Sequence, residues 1–154
     1  MQHILKCAKQ YIGLAEIKGP KSNPTIAGWI KHYATNLGRW AFSRGDDIAW
    51  CAVFVSKVLD ECGYRGTDHG LAVKYATWGK PSRISPGAVI VIKRTKQGVD
   101  KRTGSRAGYH VGFLVRISRH YIVILGGNQS DRVKVSYFAK SKYDIIAIRK
   151  PSEL

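Results

Sequence analysis

Two cysteines, Cys51 and Cys62, stand eleven residues apart in GDDIAWCAVFVSKVLDECG, the stretch from Gly45 to Gly63. Eleven helical residues at about 100° each return to within about 20° of the starting direction, so both thiols fall on one helix face. Periodicity therefore does not choose between a nucleophile and two core residues. Position along the helix weighs them. Asp46 or Asp47 is placed to cap, which puts Cys51 in the first turn or so, where unpaired backbone N–H groups and the helix dipole favour an anion. A thiolate there has a lowered pKa. Cys62 lies at the carbonyl end, and Cys7 sits inside another helical pattern. Core packing of Cys51 stays open as the alternative.

A thiol nucleophile needs a base, and the base needs an orienting group. Of the five histidines, His3 is near a terminus, His32 lies off the apolar stripe of its helix, His69 is in a loop and His120 is near a hairpin turn. His110 differs, because it occupies the strand pattern YHVGFLVRI, sharing a face with Gly112 and Leu114 and leaving Tyr109, Val111 and Phe113 opposite. A glycine beside an ionisable residue leaves space for a site. If Tyr109–Ser118 and Tyr121–Asn128 form a hairpin around a three-residue turn centred on Arg119, Asn128 faces His110 with Cβ atoms about 5 Å apart. A two-residue turn would put Gly127 or Gln129 there instead. An amide at that place accepts from the imidazole and fixes its tautomer. Otherwise Gly126-Gly127-Asn128 simply ends a strand in a turn.

The elements that must hold these residues divide the chain in two. Ile4, Leu5, Ala8, Tyr11 and Ile12 repeat at helical spacing up to Gly13. In NPTIAGWIKHYATNLG, Asn23 is a cap, Pro24 fits the first helical position, and Ile26, Ile30, Tyr33 and Leu37 make an apolar stripe ending at Gly38. Phe54, Val55, Val58, Leu59 and Cys62 form the buried face of the third helix, closed by Gly63. A shorter helix is expected over Leu71–Trp78. After Ser85-Pro86-Gly87 the pattern turns extended, with strands at 88–93, 109–118, 121–125, 132–138 and 143–149. Helices ahead of a run of strands predict an α+β domain with an antiparallel sheet of about five strands.

Composition bounds the chemistry. At 154 residues one catalytic domain, 1–154, is expected. Three cysteines with no CxxC pair and no zinc-module spacing point to a reducing cytoplasm and to no metal. The opening residues lack the unbroken apolar core of a signal peptide, since Lys6, Lys9 and Gln10 interrupt them. The net charge of +16 predicts attraction to a polyanion: nucleic acid, an anionic lipid surface or a bacterial wall. Part of it is local, because Lys93–Arg106 holds six basic residues against Asp100, a net +5. With Gly98 and Gly104 and no apolar period, this run reads as a mobile solvated loop.

Taken together, the N-terminal GLAEIKGPKSNPTI, WCAVFVSKVLDECGY, PGAVIVIKR, HVGFLV and VILGGNQSDRVKVSYF resemble the CHAP and NlpC-type peptidoglycan hydrolases of papain-like fold, many of them from bacteriophages. The likeness spans most of the chain. It implies a papain-like fold, Cys51 as nucleophile, His110 as general base and acid, and Asn128 as the orienting residue, with no cofactor. Trp50 beside the nucleophile, Tyr109 beside the base and Gln129 are the expected substrate contacts. The chain departs from the pattern in having Tyr109 for a common Gly, Ala88 for an Asp, and Gly126 for a Glu, which leaves Gln129 and Asp131 as substitutes for an acidic partner. The substrate implied is the stem peptide of bacterial peptidoglycan, cut as by an endopeptidase or amidase. A phage lysis enzyme (endolysin) would be made in the host cytoplasm and act in the periplasm or wall after release, as a monomer held by its charge to anionic wall or membrane polymers; a virion-associated enzyme or secreted toxin shares the site. The alternative from another class is a basic nucleic-acid or polyanion-binding module without catalysis. No helix-turn-helix or aromatic RNA-binding signature accompanies the charge, so no specific nucleic acid is expected.

Overall fold

The computed structural model describes residues 1–17, 23–35 and 50–154. Leu37, Gly38, Asp46 and Asp47, assigned helix-ending and capping roles from sequence, lie outside them, as does the middle of the Gly13–Ile26 segment. Among the described residues three α-helices precede the sheet. The first, α1 (Gln2–Lys9), buries Ile4, Leu5 and Ala8. The second, α2 (Pro24–Tyr33), starts as its sequence dictates: the Asn23 side chain accepts from the N–H groups of Thr25 and Ile26, and Pro24 has no N–H to leave unpaired. Such a cap is worth about 1 kcal/mol.

The third helix, α3 (Cys51–Glu61), starts at Cys51 itself, with Trp50 in the cap position and no side-chain cap. Its far end closes as expected. Gly63 takes φ 82°, its N–H donates to Asp60 O, and the N–H of Tyr64 donates to Leu59 O, so two orphan carbonyls are satisfied. The expected short helix is a 3-10 helix, Ala72–Thr77. None of the described helices is long and apolar enough to cross a membrane.

Six strands follow: β1 (Lys80–Pro81), β2 (Val89–Arg94), β3 (Tyr109–Ile117), β4 (Tyr121–Gln129), β5 (Arg132–Ala139) and β6 (Tyr143–Lys150). All pairs are antiparallel, in the order β1-β6-β2-β3-β4-β5. Five strands match the sequence reading. The sixth, β1, is only two residues long and follows Gly79, too short to carry a period.

The order forces the sheet to curl. A flat sheet would hold β5 and β6 four spacings, about 19 Å, apart, whereas the chain from Ala139 to Tyr143 reaches at most about 15 Å. The two faces therefore bury separate cores. On the helix side Val89, Val91, Val111, Phe113, Leu125 and Val133 pack against Trp50, Phe54, Val58 and the other helices. On the opposite face Ile90, Ile92, Leu114, Ile122, Ile124, Phe138 and Tyr143 pack together. The free side of β5 is partly covered by the segment after α1, through Gly13 N–H to Val133 O, Val133 N–H to Leu14 O and Glu16 N–H to Asp131 O.

The basic run between β2 and β3 is a built turn, which corrects the expectation of a mobile loop. Asp100 and Thr103 are buried. Asp100 accepts from the Tyr143 hydroxyl at 2.6 Å and from the N–H of Arg102 at 3.0 Å, and the Arg102 guanidinium lies 4.4 Å over the Phe138 ring. One acid within a basic stretch thus anchors it.

Candidate active site

Cys51 occupies the first position of α3 and is buried, 4% exposed. Backbone N–H groups of Val111, Ala52 and Cys51 itself face its sulfur. The Val111 contact follows from how β3 is paired. Leu114 N–H donates to Ala88 O, so by alternation the N–H of Val111 points the other way, toward β4. There the β3–β4 ladder has ended, at Phe113↔Leu125, and the cysteine sulfur takes the donor a β4 carbonyl would otherwise accept. Burial pushes the thiol pKa up, and the three N–H groups, pulling it down, only partly offset that. The lowered pKa expected from helix position alone is therefore absent, because position fixes the donors and burial outweighs them.

His110 is fully buried on the opposite face, among Ile92, Leu114 and Ile124, with its ring 5.5 Å from that of Phe138. Its Nε2 meets Gln129 Oε1 at 2.9 Å. The amide cannot be turned round without loss, because Gln129 Nε2 already donates to Ile124 O at 3.2 Å and Lys134 O at 2.7 Å. An oxygen only accepts, so Nε2 of the imidazole carries the proton and Nδ1 is a bare lone pair. That Nδ1 is buried and has no hydrogen-bond partner among the described residues. Burial pulls the His110 pKa down to about 4; the Gln129 hydrogen bond and the Asp100 charge oppose the shift and Arg102 adds to it.

The expected pairing of His110 with Asn128 does not form, because of what happens beyond the end of the β3–β4 ladder. Ser118 N–H donates to Tyr121 O, so the hairpin turn is Arg119-His120 and has two residues, but the bulge between Leu114 and Arg116 takes up one residue and restores the expected register at Leu114↔Ile124 and Phe113↔Leu125, where the β3–β4 ladder ends. Then β4 bulges between Gly126 and Gln129, with Asn128 at φ 57°. The bulge sends the Asn128 amide against Gly104, where a Cβ would lie 2.8 Å from Nδ2, and folds Gln129 over Gly126 onto the imidazole. Gln129, expected as a substrate contact, is the histidine's partner.

The structure thus sets the Cys51 sulfur against the residue after His110 and leaves the two side chains without a hydrogen bond. Trp50 and Tyr109, the other expected substrate contacts, lie nearby in different settings. Trp50 has no exposed surface; its indole N–H donates to Glu16 Oε1 at 2.6 Å and its ring rests on Gly127. Tyr109 is half-buried, with Lys93 Nζ 5.4 Å from its ring centroid. Two surface cavities of about 470 and 390 Å³ open at α1 with Pro86 and at the C-terminal end of α3, and neither is lined by Cys51 or His110.

Sequence reasoning missed the buried Asp100 beside this site. The burial of Tyr143 and its hydrogen bond to Asp100 hold it as a phenol, with a pKa pushed up to about 12. Comparison with models of protein families and with curated proteins finds no match for the chain.

Proposed function

We propose that the chain is a papain-like cysteine hydrolase that cleaves an amide bond of bacterial stem peptides, as an endopeptidase or amidase. One observation carries the catalytic part: a cysteine sulfur at a helix N-terminus, ringed by backbone N–H groups, lies against the N–H of the residue that follows His110, whose imidazole, on the other face of β3, has its accepting nitrogen bare and its other nitrogen held. The helix-on-antiparallel-sheet arrangement agrees with the papain-like reading. The substrate class rests on the motif resemblance.

In the proposed reaction Nδ1 of His110 takes the Cys51 proton and the thiolate attacks the amide carbonyl. The N–H groups at the start of α3 stabilise the oxyanion. His110 then protonates the leaving amine, and water, activated by the same imidazole, hydrolyses the thioester. The third role, expected of Asn128, we assign to Gln129, which keeps the proton on Nε2. Because Cys51 and His110 lie on opposite faces of β3, substrate binding has to open the β3–β4 gap and turn the imidazole through it to bring Nδ1 to the sulfur. The +16 charge suits retention on anionic wall or membrane polymers, as for a monomeric phage lysis enzyme made in the host cytoplasm and acting in the periplasm or wall.

The test is digestion of purified peptidoglycan by wild type and Cys51→Ala, with mass spectrometry of the released fragments. Wild-type release with new termini at one amide, lost in the variant, is the expected result. Equal inactivity of both on walls of several chemotypes would favour the second reading, a polyanion-binding module, to which the burial of both Cys51 and His110 lends weight.

A further inference from the structure

The catalytic reading leaves two of the three cysteines unused, and they meet. Glu61, the last residue of α3, gathers side chains from α1 and the residues just after it. The Tyr11 hydroxyl donates to Oε1, Gln10 Nε2 donates to Oε2 at 3.0 Å, and the Cys7 thiol donates to Oε2 at 3.3 Å. Lys57 pairs with the same carboxylate at 3.1 Å. Cys62 follows directly, at the helix C-cap, between two contacts that hold this end of α3 along α1, Glu61 with Cys7 and Tyr64 with His3 at 3.0 Å, which sets its thiol beside that of Cys7. Both thiols are free and half-buried, open to a small reagent, whereas Cys51 is buried.

We infer that Cys7 and Cys62 are a disulfide-forming pair, a modification site that staples α1 to the C-terminal end of α3 when the protein meets an oxidising disulfide such as glutathione disulfide. The inference is independent of the catalytic reading. Cys7 holds its proton, since burial, Glu61 and Cys62 push its thiol up to about 12, and it acts second; Cys62 makes the first attack in the sequence we infer. Its sulfur displaces one glutathione thiol and forms a mixed disulfide. Cys7 then gives up its proton, with the Glu61 carboxylate as the hydrogen-bonded acceptor, and its sulfur attacks Cys62, expelling the second glutathione. Two protein thiols are oxidised and one disulfide is reduced to two thiols. The bond would close a 55-residue span of chain, enough to raise the melting temperature by roughly 5–10 °C.

The experiment equilibrates the full chain with glutathione disulfide, then measures intact mass, alkylatable thiols, cross-linked peptides and the melting curve. Expected are a loss of about 2 Da, a link between the Cys7 and Cys62 peptides, a higher melting temperature reversed by dithiothreitol, and no such link in Cys7→Ser or Cys62→Ser. A wild type that keeps all three cysteines alkylatable, or that carries only glutathione adducts with no internal link, overturns the inference. The wild-type masses decide even if a serine variant folds poorly, and a wall-digestion result of either kind leaves them unaffected.

Discussion

Gln129 does at residue scale what a catalytic amide must do: it spends both amide hydrogens on carbonyls and offers only oxygen to the imidazole. Gln129→Leu should therefore lower kcat by roughly 100-fold with little change in KM, because the tautomer is no longer fixed. Asn128→Ala should cost less. Steady-state kinetics on a soluble stem peptide distinguishes the two. His110 makes a separate prediction about stability. Its folded pKa, about 4, lies below the ordinary 6.5, so the folded protein binds fewer protons than the unfolded chain between those values. Stability is fully present above pH 6.5 and falls as pH drops through the folded pKa, by about 3 kcal/mol in all. Urea midpoints at pH 7.5 and 4.5 should show this loss in wild type and a much smaller one in His110→Asn. Residue types were legible in the sequence, since a cysteine opening a helix and a histidine in a strand can be seen there. Burial was not, and burial sets both pKa directions.

At the scale of elements the bulge in β4 decides which amide reaches the histidine. Two neighbouring glycines make room for it in different directions. A Cβ on Gly126 would lie 2.5 Å from Gln129 Oε1 and 3.3 Å from His110 Nε2, whereas one on Gly127 would lie 2.6 Å from Trp50 Cζ3 and 2.7 Å from Phe54 Cβ. Gly127→Ala should thus cost about 1–3 kcal/mol through overpacking between helix and sheet. Gly126→Ala should displace Gln129 and depress activity more than stability. Denaturation midpoints and turnover measured on both variants separate these effects. The helices and strands themselves could be read from caps, periods and turns: Asn23-Pro24 starts a helix, Gly63 ends one, and Ser85-Pro86-Gly87 marks the switch to strands. Register could not, because the bulge between Leu114 and Arg116 offsets the two-residue turn and the bulge between Gly126 and Gln129 then breaks the alternation, and neither shows as a period in the sequence. One shift moved the contact from Asn128 to Gln129.

For the whole molecule, charge and curvature matter most. The sheet curls round a second core that buries His110, and Asp100 pins the basic run across the same region through Tyr143. This could not be seen from composition, where Lys93–Arg106 reads as a solvated loop; only the carboxylate within it hinted otherwise. The net charge of +16 predicts that association with intact peptidoglycan falls steeply as salt rises from about 0.05 to about 0.5 M, where the screening length shrinks below about 5 Å. Pelleting with purified wall should show this. Turnover of a soluble neutral stem peptide should change far less.

The most direct measurement is the mass of the protein quenched in acid during wall or stem-peptide digestion. A thioester reading predicts a fraction of the enzyme heavier by one acyl fragment, carried on the Cys51 peptide and absent from Cys51→Ala. Fragments released at the wild-type rate by Cys51→Ala, with Cys51 unmodified in the wild type, would contradict it.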